Sequence, residues 1–145
     1  MLTAPIIVVL SGEGGSGGAL GLGVGDRVLM LEHAVYSVIP PQGCAAILWR
    51  DPARAAERAP EAATALKLTA ENALHFGVVD EIIPEPRGGA HRSPEGAAAV
   101  VKDALLRHLP ALEAMGDEQR LSARYDRFRR LGEYAEVEEG VLAGM

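Results

Sequence analysis

The sequence predicts a single α/β domain in which short buried strands alternate with helices. Its apolar runs of four to six residues are rich in Val, Ile and Leu and are bounded by glycine or proline, as is typical of buried parallel strands. The segments between them carry the start and stop signals of helices. Because only 4% of the 145 residues are aromatic, the core must consist mainly of aliphatic side chains. We expect residues 1–134 to form this domain and the acidic tail, 135–145, to be disordered.

The elements are predicted in order along the chain. Strands are expected at residues 5–10, 28–31, 35–39 and 78–83. A short buried helix is expected in the segment that contains Ala19, Leu20, Leu22 and Val24. Further helices are expected at residues 44–49, 72–76, 93–109 and 117–131, and another is expected to start at about residue 51. Asp51 is expected to cap its helix with Pro52 at the first position, Gly77 to end another, and Pro110 to start a separate segment.

Charge and cysteine content exclude several classes of function. The net charge of −6 argues against a nucleic-acid or membrane-surface partner, since phosphate binding needs clustered Lys and Arg. The basic run at 124–130 is interleaved with other residues, and we expect it to be a solvated helix face. Cys44 is the single cysteine, so a disulfide within the chain and a cysteine-based metal site are excluded. A reducing cytoplasm is the expected location, and no signal peptide or transmembrane helix is predicted.

The glycine-rich segment at 12–18 is the candidate site for chemistry. It follows a predicted strand and precedes a predicted helix, where backbone N–H groups are left without intrahelical partners. Glycine allows a ligand to approach the backbone because no Cβ is in the way. The segment therefore predicts binding of a negatively charged oxygen by main-chain donors.

Two known patterns overlap this segment. Gly12, Gly14 and Gly17 fit the dinucleotide fingerprint, with Glu32 after the next strand as the ribose-binding acid, but the helix that follows is short and carries further glycines. A nucleophile elbow centred on Ser16 is the other pattern. The residues that would complete it are a histidine base and an acidic partner, chosen from His75, His91, His108 and Asp80.

Three separated blocks resemble a known enzyme family. They are SGEGGSGGALGLGVGDRVLMLEHAVYSVIPPQGCAAILW at 11–49, EAATALKLTAENALHFGVVDEIIPEPRGGAHRSPE at 61–95 and SARYDRFRRLG at 122–132. Together they resemble the C-terminal half of the carboxyltransferase alpha subunit of acetyl-CoA carboxylase, over about residues 1–134. The resemblance implies a crotonase-like fold, in which repeated ββα units wind into a superhelix.

The resemblance also implies a reaction and its partners. Family members work with a zinc-containing beta subunit and a biotin carboxyl carrier protein, in an α2β2 assembly, to move a carboxyl group from carboxybiotin to acetyl-CoA and give malonyl-CoA for fatty acid synthesis. By this analogy, Gly14 and Gly15 supply backbone oxyanion donors, and Gly43 and Cys44 form the second wall of the pocket. We expect zinc on the beta subunit only, no metal ligand in this chain, and no turnover by the chain alone. Gly21, Gly23 and Gly25 are expected to allow close packing.

Overall fold

The computed structural model describes residues 2–51 and 54–132. The five strands of these ranges are β1 (Ile7–Leu10), β2 (Glu13–Gly15), β3 (Arg27–Leu31), β4 (Val35–Ser37) and β5 (Glu81–Ile83). The helices are α1 (Ser16–Leu22), α2 (Pro41–Trp49), α3 (Ala55–Leu66), α4 (Ala70–His75), α5 (Pro94–Glu113) and α6 (Asp117–Arg129), with a 3₁₀ turn at Ala90–Arg92.

The strands form two parallel sheets that repeat one unit. One sheet has the order β1-β3-β5 and the other pairs β2 with β4. The chain therefore runs β1-β2-α1 and then β3-β4-α2, so that the first strand of each unit joins one sheet and the second strand joins the other. This is the ββα repeat that the resemblance implied, and it confirms the α/β, crotonase-like fold class.

The core lies around β3, the central strand of the larger sheet. Its apolar side chains Val28, Leu29, Met30 and Leu31 are all buried, as the continuous apolar run at 28–31 predicts for a strand covered on both faces. Ile83 of β5 and Ala104 of α5 belong to the same cluster. A smaller cluster of Ala45, Ala55 and Ala62 joins α2 to α3, where small side chains allow the helices to approach closely.

The strand boundaries differ from the prediction for local reasons. Strand β4 ends at Ser37 because the hydroxyl of Ser37 donates to Ile39 O (2.8 Å) and closes a turn. Strand β5 covers only Glu81–Ile83, since Val78 N and Val79 N donate to Ala73 O and extend the end of α4 instead. Strand β2 was not predicted, because its sequence Glu-Gly-Gly has no strand propensity and pairing with β4 alone defines it.

Two helix predictions are wrong in detail. Helix α1 forms where expected, but in the described part of the chain none of its residues is buried, and Leu20 and Leu22 are 60% and 80% exposed. Helix α3 covers Ala55–Leu66, and Arg54 N before it donates to Asp51 O (3.2 Å), while the predicted first position, Pro52, lies outside the described residues, so the cap at Asp51 stays a prediction. Pro110 lies inside α5, which continues to Glu113.

Helix α6 packs through arginines instead of apolar side chains. Arg120, Arg124 and Arg127 share one face by their spacing of four and three, and Arg120 and Arg124 are buried. The predicted solvated face is therefore wrong for Arg124 and Arg127. Carbonyl and carboxylate acceptors from distant parts of the chain lie under this face, and no pattern within α6 reveals them.

The predicted disorder of residues 135–145 falls outside the described residues. Among the residues that the structure describes, no helix combines the length and the apolar character needed to cross a membrane.

Candidate active site at the carboxyl edge of the sheet

Strands β1, β3 and β5 are parallel, so their carboxyl ends lie along one edge of the sheet. The glycine segment follows β1, Glu32 and His33 follow β3, and Glu85 comes shortly after β5. Ligand sites of parallel α/β sheets lie at this edge. The topology therefore brings the glycine segment and the segment around Glu85 to the same side of the molecule.

The glycine segment has the predicted geometry and an additional strand. Gly12 O accepts a hydrogen bond from Val35 N (2.9 Å), and Gly14 and Gly15 lie opposite Tyr36 and Ser37 in the small sheet. Helix α1 then begins at Ser16, whose φ of 66° lies in the left-handed region that residues with a Cβ rarely adopt. The expected order of strand, glycine turn and helix is confirmed.

Tyr36 supports the glycine segment from one side. A Cβ added at Gly14 would lie 2.8 Å from Tyr36 Cδ2, and one added at Gly23 would lie 2.6 Å from Tyr36 Oη. The phenol also approaches Ala19 O (3.4 Å), and burial raises its pKa. Tyr36 was not predicted as part of the site, because its position in an ordinary strand pattern gives no sign that two glycines pack against its ring.

The other side of the segment is open. Among the described residues no atom lies within 4 Å of a Cβ added at Gly15, and the N-terminus of α1 has no side-chain cap. A cavity of about 440 Å³ lies here, bounded by the end of β1, residues 11–15 and the C-terminal part of α1. The backbone at Gly15 is thus accessible to a ligand atom.

The remaining glycines of this region separate into two kinds. A Cβ at Gly25 would lie 2.9 Å from Val8 Cγ2 and 3.1 Å from Ile6 O, so the close-packing prediction is confirmed there and at Gly23. It is wrong for Gly21, where an added Cβ meets no atom of the described chain within 4 Å.

Gly43 and Cys44 lie on α2, beyond the end of β4. Cys44 is half-buried and packs against the alanine cluster between α2 and α3, while Gly43 lies against Ile39. Neither residue is among those that bound the cavity beside Gly15. Their assignment to the second wall of the pocket stays a prediction.

Glu85 organises the neighbouring part of the edge. Its carboxylate is almost fully buried and accepts hydrogen bonds from Ala90 N (2.6 Å) and His33 N (3.0 Å), while Glu85 N donates to Glu32 Oε2 (3.2 Å). The hydrogen bond from Ala90 N, with a smaller contribution from His33, holds the pKa of Glu85 below its usual range. A cavity of about 330 Å³ adjoins it, bounded by His33, Glu85, Gly88, Gly89 and His91.

The hydrogen bond between His33 and Glu85 was not predicted, because the two residues are far apart in sequence and only strand order brings them together. The signal that points to it is the Gly88-Gly89 pair soon after a strand. Both glycines have positive φ, 90° and 95°, which lets the chain fold back so that Ala90 N reaches Glu85.

The amino-acid sequence of the chain, including the segments at this edge, matches one protein family. The model of acetyl co-enzyme A carboxylase carboxyltransferase-like proteins matches residues 1–132. The chain belongs to this family. The carboxyl transferase alpha subunit of acetyl-coenzyme A carboxylase from Thermosynechococcus vestitus is 57% identical over 133 residues, which are 92% of this chain and 40% of that protein. The alpha subunit from Geobacter metallireducens is 55% identical over 135 residues, 93% of this chain and 41% of that protein.

This chain therefore spans about 40% of the length of the curated carboxyltransferase alpha subunits that it matches. Among solved structures, the transcarboxylase 12S core has a TM-score of 0.49 at 20% identity, covering 94% of this chain and 23% of that one. An enoyl-CoA hydratase/isomerase from Mycobacterium abscessus has a TM-score of 0.37 at 23% identity, covering 98% and 64%.

The structure also tests the two other sequence patterns, the nucleophile elbow and the dinucleotide fingerprint. Ser16 lies in a small cavity whose boundary includes Tyr36 and Val38 but, in the described chain, no histidine. His108 is instead paired with Glu81, and Asp80 with Arg127. Glu32, the ribose-binding acid of the dinucleotide pattern, already accepts a hydrogen bond from Glu85 N, and α1 has only seven residues. Within residues 2–51 and 54–132, the structure does not assemble a nucleophile elbow and gives no support to a dinucleotide site.

Proposed function

We propose that this chain acts as part of the carboxyltransferase of acetyl-CoA carboxylase, in the transfer of a carboxyl group from carboxybiotin on its carrier protein to acetyl-CoA to give malonyl-CoA. The observation that carries the proposal is the accessible backbone at Gly15, beside an open cavity at the carboxyl edge of the sheet, in a member of this family. Carboxybiotin supplies the carboxyl group, and the CoA thioester accepts it.

In this proposal the backbone of the Gly14-Gly15 segment donates a hydrogen bond to an oxygen that gains negative charge during transfer. A donor fixed in advance at such an oxygen stabilises the transition state by roughly 3–4 kcal/mol. Tyr36 fixes the path of the segment, because Gly14 packs on its ring and leaves no room for a side chain. The missing Cβ at Gly15 leaves the opposite side free for the ligand.

Gly43 and Cys44 are proposed to approach the pocket as its second wall when the assembly is complete. The partners proposed are the beta subunit, which would hold the zinc, and the carrier protein, in an α2β2 assembly. Five large apolar side chains on and next to α1 and α2 are at least 60% exposed, and exposed apolar surface favours association with a partner. They are Leu20, Leu22, Val38, Ile47 and Leu48.

Reconstitution tests the proposal. A full-length alpha subunit carrying this sequence as its C-terminal part is mixed with beta subunit, carboxylated carrier protein and acetyl-CoA, and malonyl-CoA is measured. We expect malonyl-CoA to form with the complete set and not with the 145-residue chain alone. Failure of the complete set would refute the proposal, and rapid turnover by the chain alone would refute the need for partners. Calorimetry with NAD provides the comparison, since tight NAD binding without beta subunit would favour the dinucleotide alternative.

A further inference from the structure

Another cavity lies at the opposite edge of the sheet from the glycine segment. It has a volume of about 230 Å³ and is enclosed by α6, the end of α5, and the residues that precede β3 and β5. Its charged boundary consists of five arginines and two aspartates, which gives a local net charge of +3 in a chain whose overall charge is −6. These side chains are Arg27, Arg120, Arg124, Arg127, Arg130, Asp26 and Asp80.

Two of the arginines are fully used in holding the fold together. Arg124 donates to both oxygens of Asp26 and to two backbone carbonyls near the start of the chain. Arg120 donates to the carbonyls of Thr3, Leu112 and Met115, and to Asp117. A purely structural role accounts for these two guanidinium groups.

The other three arginines keep donors without partners among the described residues. Arg127 binds Asp80 and Val78 O through its two terminal nitrogens, but its Nε is buried and has no acceptor. Arg130 uses only Nε, toward Asp126 O, and Arg27 uses only one terminal nitrogen, toward Asp26 O. Because Arg127 Nε is shielded from solvent, it is not available to a ligand. Arg27 is half-buried and Arg130 is exposed, and their free nitrogens are the donors that a ligand at this cavity can use.

We propose that this cavity binds a phosphoryl group through the free nitrogens of Arg27 and Arg130. Planar guanidinium groups donate in pairs to the oxygens of phosphate, and charge-assisted hydrogen bonds of this type are about twice as strong as neutral ones. The excess of positive charge and the partial enclosure favour a dianion, since an enclosed charge is less screened than one on an open surface. This site is separate from the carboxyltransferase site and does not depend on the proposed function.

Binding of two phosphoryl compounds to the 145-residue chain tests the proposal. Isothermal titration at constant ionic strength is carried out with inorganic phosphate and, separately, with adenosine 3′,5′-bisphosphate, with chloride as the balancing anion. We expect saturable binding of at least one of them at one site per chain. The tighter of the two identifies whether the site takes a free ion or the phosphate of a nucleotide. Absence of saturable binding of both compounds would overturn the proposal.

The variants Arg27→Gln and Arg130→Gln locate the site. Each should weaken binding by about tenfold or more, because each removes charge-assisted hydrogen bonds to the anion. Arg129→Gln is the matched control, since Arg129 is exposed on the same helix and does not border the cavity. Circular dichroism melting confirms that all three variants fold. Equal losses in Arg129→Gln and Arg130→Gln would show that only the general charge of α6 matters and would overturn the proposed site.

Discussion

Arg124 on α6 and Asp26 before β3 form a buried ion pair with two parallel hydrogen bonds, between Nε and Oδ1 (2.8 Å) and between Nη2 and Oδ2 (2.7 Å). Their side chains are 9% and 3% exposed. Asp26 also accepts a hydrogen bond from Ile6 N, and Arg124 also donates to the carbonyls of Leu2 and Ala4. The pair therefore ties the last described helix to the first strand and to the start of the central strand.

Removal of one partner of this pair should destabilise the domain strongly. Arg124→Leu leaves the Asp26 carboxylate buried without its guanidinium, and breaking a buried pair in this way costs about 3–5 kcal/mol. Urea unfolding followed by circular dichroism measures the change in the free energy of unfolding. Arg129→Leu, at an exposed position of the same helix, should change it by less than about 0.5 kcal/mol. Equal effects of the two substitutions would contradict the role of the pair.

The same pair should make stability depend on pH. Burial opposes ionisation of Asp26, but the hydrogen bonds from Arg124 and Ile6 N outweigh it and lower the pKa of the carboxyl group. Because the folded-state pKa is lower than the unfolded one, the stabilisation is fully present above the unfolded value of about 3.9 and is lost as the pH falls through the folded value.

Urea unfolding at a series of pH values from 7 down to 3 measures this dependence. The free energy of unfolding should be level at the upper end and fall below about pH 5, where the unfolded chain starts to take up protons. Glu81 and Glu85, whose pKa values are also lowered, contribute in the same direction, so Asp26→Asn should reduce the slope without abolishing it. A slope unchanged in Asp26→Asn would show that the ion pair does not contribute.

The sequence predicted the fold class and most elements because the strands that build the core have strong local signals. The run at 28–31 is apolar throughout, and the structure places it as the central, fully buried strand. The sequence did not predict which face of α6 packs against the rest of the domain. The spacing of arginines is the same for a solvated face and for a face that binds carbonyl oxygens. Nor did it predict that α1 is exposed, because exposure depends on which elements cover a helix and not on the helix itself.

For the candidate site, the sequence predicted the local elements but not the residues that support them. The strand, turn and helix around the glycine segment follow from glycine content and position, and they are confirmed. Tyr36 and Glu85 were missed because they act through contacts with residues that only parallel strand order brings near. Gly14 and Gly15 differ in what surrounds them, one packed against a ring and one open, and no sequence pattern distinguishes two adjacent glycines.

Gly25 and Gly21 should respond in opposite ways to replacement by alanine. At Gly25 the new methyl group would meet Val8 Cγ2 and two backbone oxygens at 2.9–3.2 Å, and overpacking of this kind costs about 1–3 kcal/mol. At Gly21, inside α1, the methyl group meets no described atom, and alanine is favoured over glycine in a helix by up to about 1 kcal/mol. Urea unfolding of both variants measures the difference. A loss of stability in Gly21→Ala as large as that in Gly25→Ala would contradict the observed packing.

The most direct test of the glycine segment is Gly15→Val in the reconstituted carboxyltransferase. Gly15 has φ −124° and ψ 154°, an extended conformation that valine adopts readily, and no described atom lies within 4 Å of an added Cβ. The substitution should therefore leave the fold intact and place its side chain where the ligand approaches. We expect kcat to fall by about 100-fold or more, the scale of losing one oxyanion donor.

Gly116→Val provides the matched control for that experiment, because Gly116 is also extended, precedes a helix, has open space at its Cβ position and lies far along the chain at the start of α6. It should keep kcat within about twofold and lower stability by no more than about 1 kcal/mol through its effect on the helix start. Both values of kcat are normalised to folded, assembled protein, with assembly followed by gel filtration. The two variants share the same change in side chain and in backbone freedom, so a difference between them must come from the cavity beside Gly15. If Gly15→Val assembles normally and retains the turnover of Gly116→Val, the open side of the glycine segment is not where the ligand binds.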